Sequence, residues 1–128
     1  MSWHIDVIST NLALTKKQAT ELVNILEKTW NQYGTYLEWA GKRSKKTLAD
    51  FFQNVEFIDD FNEGMDYFKD EAFQKAMLVV GVEGDVTLAS FDGDNEGEAW
   101  THEFKNGQYE FCDGYTEGLN NGRIPSQA

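Results

Sequence analysis

Trp3, Ile5 and Val7 alternate with His4 and Asp6, the period of a strand with one buried face. The rhythm then lengthens. Thr15 stands three residues before Gln18, the spacing of a capping box, and Ala19, Leu22, Val23, Leu26 and Trp30 follow at helical spacing until Gly34. Such a stripe of leucine and tryptophan is what an amphipathic helix lays on a sheet, so it reads as core rather than as a cofactor site. Beyond Gly34, Tyr36-Leu37-Glu38-Trp39 is too short for periodicity to decide between strand and turn. A short helix is predicted next, with Leu48, Phe51, Phe52 and Val55 on one side. Phe61, Met65, Phe68, Ala72 and Ala76 continue at helical spacing, weakened in the middle by Gly64. Asp59, Asp60, Glu63, Asp66 and Asp70 lie mainly off that stripe and are expected to face water or a partner.

From Leu78 the period falls to two, with glycine punctuation, which predicts a run of antiparallel strands. Leu78–Val82 and Val86–Phe91 flank Glu83-Gly84-Asp85 as one hairpin. Ala99–Lys105 and Gln108–Cys112 flank Asn106-Gly107, the dipeptide that best suits a type I′ turn because both central residues need positive φ. The register follows: Phe104 opposite Tyr109, Glu103 opposite Glu110, His102 opposite Phe111, with Trp100 on the face of Phe104. Gly114–Ala128 has little to bury and is expected to be a poorly ordered Gly/Asn-rich tail. The predicted architecture is a single α+β domain over residues 1–113: a mainly antiparallel sheet of about five strands with two or three helices on one face.

Composition supports a folded domain. Of 128 residues, 41% are apolar, and nine Phe, four Trp and five Tyr provide large core side chains, which excludes a disordered chain. One cysteine, Cys112, excludes a disulfide scaffold. No apolar run approaches the roughly 20 residues of a membrane span, and the opening Met-Ser-Trp-His-Ile-Asp has neither a basic leader nor an apolar signal core. A cytoplasmic location is therefore expected.

Charge changes the picture more. Residues 1–50 hold seven bases and five acids, and residues 51–128 hold four bases and seventeen acids, so the formal charge of −11 is concentrated downstream. Direct binding to nucleic acid or to a membrane surface would be repelled, and a basic protein is the natural complement. The plainer alternative is an acidic surface that serves solubility. Lys42, Arg43, Lys45 and Lys46 form a basic cluster that could hold an anion at a helix start, but a solvated loop is its ordinary explanation.

Asp92–Glu103 nearly satisfies a twelve-residue calcium loop, with Asp92, Asp94 and Glu96 at ligand positions 1, 3 and 5, Gly97 at 6 and Glu103 at 12. Against calcium, Glu96 replaces the shorter Asp or Asn, and the flanks read as strands rather than helices. Glu103 opposite Glu110 places like charges across an antiparallel pair, which costs a few tenths of a kcal/mol or more unless a cation offsets it. That cation is expected to be a neighbouring lysine, a bound ion or a basic partner. His102 sits next to Glu103, but strand neighbours point to opposite faces, so it is expected as a satisfied core histidine among Trp100, Phe104 and Phe111. No zinc spacing, nucleophile triad or phosphate-binding glycine loop is present, and no catalytic residue is assigned.

Gly84-Asp85-Val86-Thr87-Leu88-Ala89-Ser90-Phe91, then Gly97-Glu98-Ala99-Trp100-Thr101-His102-Glu103-Phe104 and Asn106-Gly107, resemble a strand meander of small phage and mobile-element proteins. The resemblance covers about a third of the chain. It implies a ferredoxin-like α+β fold and a general similarity to toxin immunity proteins and inhibitors of DNA-targeting enzymes, and it implies no catalytic residues. The expected function is a non-catalytic acidic inhibitor that occupies the basic groove of a nucleic-acid-binding enzyme, partly imitating a phosphate backbone. Asp92, Asp94, Glu96, Glu98, Glu103 and Glu110 are the first candidates for the contact surface, with Asp59, Asp60, Glu63, Asp66 and Asp70 second. Two other classes stay open: a calcium-stabilised binding module using Asp92, Asp94, Glu96 and Glu103, and a small-molecule domain walled by Trp30, Trp39, Trp100 and Tyr109.

Overall fold

A computed structural model describes residues 5–31, 33–34, 49–50, 52–53, 66–91 and 96–125. Trp3, His4, the Tyr36–Trp39 segment, the basic cluster at Lys42–Lys46, Phe51, Val55, Phe61, Met65 and the acids Asp59, Asp60, Glu63, Asp92 and Asp94 lie outside the described residues. Among the described residues four strands, β1 (Ile5–Thr10), β2 (Gly84–Ser90), β3 (Glu98–Lys105) and β4 (Gln108–Tyr115), form an antiparallel sheet in the order β1-β2-β3-β4. The helices α1 (Lys16–Thr29) and α2 (Glu71–Val79) precede β2, with a 3-10 turn at Tyr67–Lys69 leading into α2. The α+β class is as expected. The strand order departs from what a ferredoxin-like resemblance implies, because that fold places a helix between its third and fourth strands, and here β2, β3 and β4 are consecutive.

The helix α1 begins where its sequence signals it. Thr15 accepts from the Gln18 main-chain N–H, and the Gln18 side chain accepts from the Thr15 N–H, a complete capping box. The same Gln18 amide donates to the carbonyls of Val80 and Gly81, tying the start of α1 to the end of α2. Ala19, Leu22, Val23 and Leu26 are buried, as the stripe predicts.

Among the described residues the sheet has four strands where about five were expected, because Leu78–Val82 is not a strand. Asp70 caps α2, Phe73, Ala76 and Met77 face the core, and the helix runs to Val79. Its end is a Schellman motif: Gly81 at φ 77° donates to the Leu78 carbonyl and Val82 to that of Met77. An apolar run of this length cannot be told from a strand by periodicity, and the stop signal Gly81 lies inside it.

The second hairpin is as read. Asn106 and Gly107 both have positive φ, and the pairs Phe104–Tyr109, Glu103–Glu110 and His102–Phe111 all hold. One sheet face, with Ile5, Val86, Leu88, Trp100 and Phe104, closes against the helices around Phe68 and Phe73. The other face carries Asp85, Thr87, Ala89, Ala99, Thr101 and Glu103.

That second face corrects the expectation of a tail after residue 113. Gly114 and Tyr115 complete β4, and residues 116–125 cross the outer face of the sheet, where Ile124 buries with Ala89 and Ala99. The Ile124 main-chain N–H donates to Thr101 Oγ1, itself 2.6 Å from Thr87 Oγ1. A segment rich in glycine and asparagine suits this position, since Gly114 leaves room for Ile124 and Gly122 for Ser9. None of the described helices is long and apolar enough to cross a membrane.

Candidate functional site

Two aspartates organise the approach to α2. Asp66 caps the 3-10 turn by accepting from the Phe68 N–H, and Asp70 caps α2 by accepting from that of Ala72. Each cap also accepts an indole N–H: Trp100 donates to Asp66, and Trp30 to Asp70 at 3.1 Å. Both acids, expected to face water or a partner, thus have partners within the chain. A carboxylate at a helix start satisfies main-chain donors that have no other partner.

Asp66 also holds His102, whose Nε2 lies 2.7 Å from Asp66 Oδ2, while Nδ1 lies 2.7 Å from the Tyr109 hydroxyl. His102 is fully buried and the Asp66 side chain is 2% exposed. With Nε2 protonated, His102 donates to the carboxylate and accepts from Tyr109, so every polar atom of the group is satisfied. Phe68, Phe111 and Tyr109 rings surround the imidazole at 5.2–5.8 Å. The core position of His102 agrees with the sequence, and its partner Asp66 was not identified from it. Packed among these rings, the Asp–His–Tyr chain locks the 66–70 segment onto β3.

Burial, then the nearby Asp66 carboxylate and then Cys112, hold the Tyr109 phenol well above its ordinary value of 10.0. The raised folded value means that Tyr109 contributes fully below the unfolded value and that this contribution is lost as pH rises above it. Tyr109→Phe is expected to cost about 1–3 kcal/mol at neutral pH, because His102 Nδ1 loses its donor. The gap between wild type and variant should narrow above about pH 10. Urea midpoints across the alkaline range check this, and a constant gap would contradict it.

The clash of Glu103 and Glu110 is answered within the chain. Arg123 crosses the outer face and binds Asp85 at 3.1 Å through Nη1 and Glu103 at 2.8 Å through Nη2. The offsetting cation is thus an arginine from the segment expected to be a tail. The hydrogen bond to Glu103, then the Asp85 and Glu103 charges, raise the Arg123 pKa, and burial, then the hydrogen bond and charge of Glu110, raises that of Cys112. Glu103, the last position of the proposed calcium loop, sits within β3 with its carboxylate on Arg123. Among the described residues no group of three or more His, Cys, Asp or Glu side chains is placed to hold a metal.

Comparison with protein-family models, curated proteins and solved structures returns no match. The geometry alone therefore sorts the candidate residues. Asp66, Asp70 and Glu103 have internal partners. Of the proposed aromatic walls, Trp30, Trp100 and Tyr109 are hydrogen-bonded into the core, and Trp39 lies outside the described residues. Glu96 and Glu98 are exposed at the far end of the β3–β4 hairpin from its turn. Asp113 and Glu117, both exposed, join them there, since Thr116 donates to the Gly97 carbonyl at 2.8 Å. Sequence reading passed over Asp113 and Glu117 because they fell at the edge of the expected tail.

Proposed function

We propose that the chain is a non-catalytic acidic binding protein that occupies the basic surface of a nucleic-acid-targeting protein, as an inhibitor or immunity-type partner. The observation that carries this reading is the grouping of Glu96, Glu98, Asp113 and Glu117 at one end of the sheet, with no ion pair among the described residues to neutralise them. The downstream bases are few and partly committed: Arg123 to Asp85 and Glu103, Lys75 to Glu71. What remains at that end is a net negative surface available to a cationic one.

Capture from a lysate with the tagged chain, washed in parallel at low and high salt, tests the reading. A basic protein should be retained at near-stoichiometric amount, released as salt rises, and prevented from binding nucleic acid when the chain is added back. A neutral or acidic partner, or retention insensitive to salt, would overturn the mechanism.

A further inference from the structure

We infer that the cleft between the 66–70 segment and the end of the β3–β4 hairpin captures an arginine side chain of an extended basic segment of the partner. This rests on the preceding reading and gives it a specific point of contact. The cleft measures about 280 Å³ and is lined by Lys69, Glu98, Trp100, Phe111, Asp113 and Tyr115. Strand register builds it. Glu98 pairs with Tyr115 and Trp100 with Asp113, and because alternate residues share a face, acid and aromatic side chains interleave along both strands.

Two features identify the occupant as a cation. Lys69 Nζ already lies over the Trp100 ring at 4.7 Å from its centroid and near the Phe111 ring at 5.8 Å. The rings therefore present their negative faces to the cleft, and an internal cation stands where an external one would bind. Lys69 is exposed and makes no ion pair among the described residues, so a flexible side chain fills the position without closing it. Glu98 and Asp113 are also exposed and unpaired among the described residues. Phe111 is 41% and Tyr115 60% exposed on the sheet face that elsewhere buries its aromatics.

Arginine fits this lining better than lysine. Its planar guanidinium stacks on an aromatic face while its donors form a fork to a carboxylate, and both surfaces are offered here within one cleft. Among the described residues β4 is an edge of the sheet, so an extended segment lying along it would also find main-chain partners. Excess negative charge around the cleft, from Glu96 and Glu117, favours further basic residues on either side of the captured arginine.

The test uses the full chain, isotopically labelled, with three synthetic extended peptides of alternating serine with arginine, lysine or glutamate. At low salt the arginine peptide should bind more tightly than the lysine peptide, and the glutamate peptide should not bind. Amide shifts should centre on Phe111–Tyr115 and on the Trp100 indole. Tyr115→Ala, at an exposed position, should weaken binding roughly three- to five-fold, and Glu98→Gln with Asp113→Asn should weaken it further. Lys69→Met, which removes the competing cation, should tighten it. Binding that maps to Glu103 and Glu110 and ignores Tyr115→Ala would overturn the cleft while leaving acidic binding of a basic partner intact. Absence of binding by either basic peptide would overturn both. Concentration-dependent shifts in the same cleft without peptide would assign it to a second copy of this chain and overturn the inference.

Discussion

Asp66→Ala is expected to lower the stability of the fold by about 3–5 kcal/mol, because it leaves several buried donors without an acceptor, each costing about 1–3 kcal/mol. Three donors converge on this carboxylate: the Phe68 main-chain N–H, the Trp100 indole and His102 Nε2. With the side chain gone, the imidazole and the indole lose their acceptor where water cannot replace it. The 3-10 turn loses its cap as well. Urea denaturation would show a lower midpoint with little change in slope, because the surface exposed on unfolding is nearly the same. A loss below about 1 kcal/mol would mean that the group is hydrated and that its burial is not what holds the segment. Asp66→Ala combined with His102→Leu should recover part of the loss, since replacing both members of a buried polar pair by apolar groups removes the unpaired partner.

Gly84→Ala is expected to cost about 3 kcal/mol, with a fall in Tm on the order of 10 °C. Gly84 opens β2 at φ 132°, where an L side chain is strained, and the added Cβ would lie 2.9 Å from both the Asn11 carbonyl oxygen and the Leu12 Cα. These are main-chain atoms of the segment joining β1 to α1, and they have no free direction in which to move. Asn11 Oδ1 accepts from the Asp85 N–H at 2.6 Å, Asn11 N–H donates to the Asp85 carbonyl at 3.0 Å, and Leu12 is buried. Gly97→Ala serves as the comparison, because Gly97 has φ 89° with nothing near its would-be Cβ. It should suffer the backbone strain without the clash. Equal losses at the two sites would show that the close approach of β2 to the 11–12 segment contributes nothing.

What could be read from the sequence was local. The capping box of α1, its buried stripe and the Asn106-Gly107 hairpin with its register are each set by residues within a few positions of one another, where spacing alone carries the geometry. Three features were missed, the first of them for the opposite reason. Asp66 meets Trp100 and His102 across 34 and 36 residues, and nothing near Asp66 distinguishes it from a solvated acid except its place before a helical turn. Asp70 before Glu71-Ala72 was a capping signal that could have moved the start of α2 and, with Gly81 as its stop, turned the Leu78–Val82 strand into helix. Arg123 lay in a segment whose glycines and asparagines resemble a tail, although its charge was the complement that Glu103 and Glu110 required. The candidate surface was half legible. Glu96 and Glu98 stand exposed as expected, whereas Asp66, Asp70 and Glu103 turn to partners within the chain, and Asp113 and Glu117 enter through the fold alone.

These internal commitments divide the acids of one chain into two kinds. Asp66, Asp70, Asp85 and Glu103 maintain the fold, so reversing their charge would disturb structure before it disturbed binding. Glu96, Glu98, Asp113 and Glu117 lie on the surface and are open to reversal with little effect on the core. The measurement that tests the acidic-binding account most directly is the association rate of the captured partner with wild type and with a Glu96→Lys, Glu98→Lys, Glu117→Lys variant, across a range of salt. The account predicts fast, salt-sensitive association for wild type and a rate lowered on the order of ten-fold or more at low salt for the variant. Equal rates for the two proteins, unaffected by salt, would contradict it.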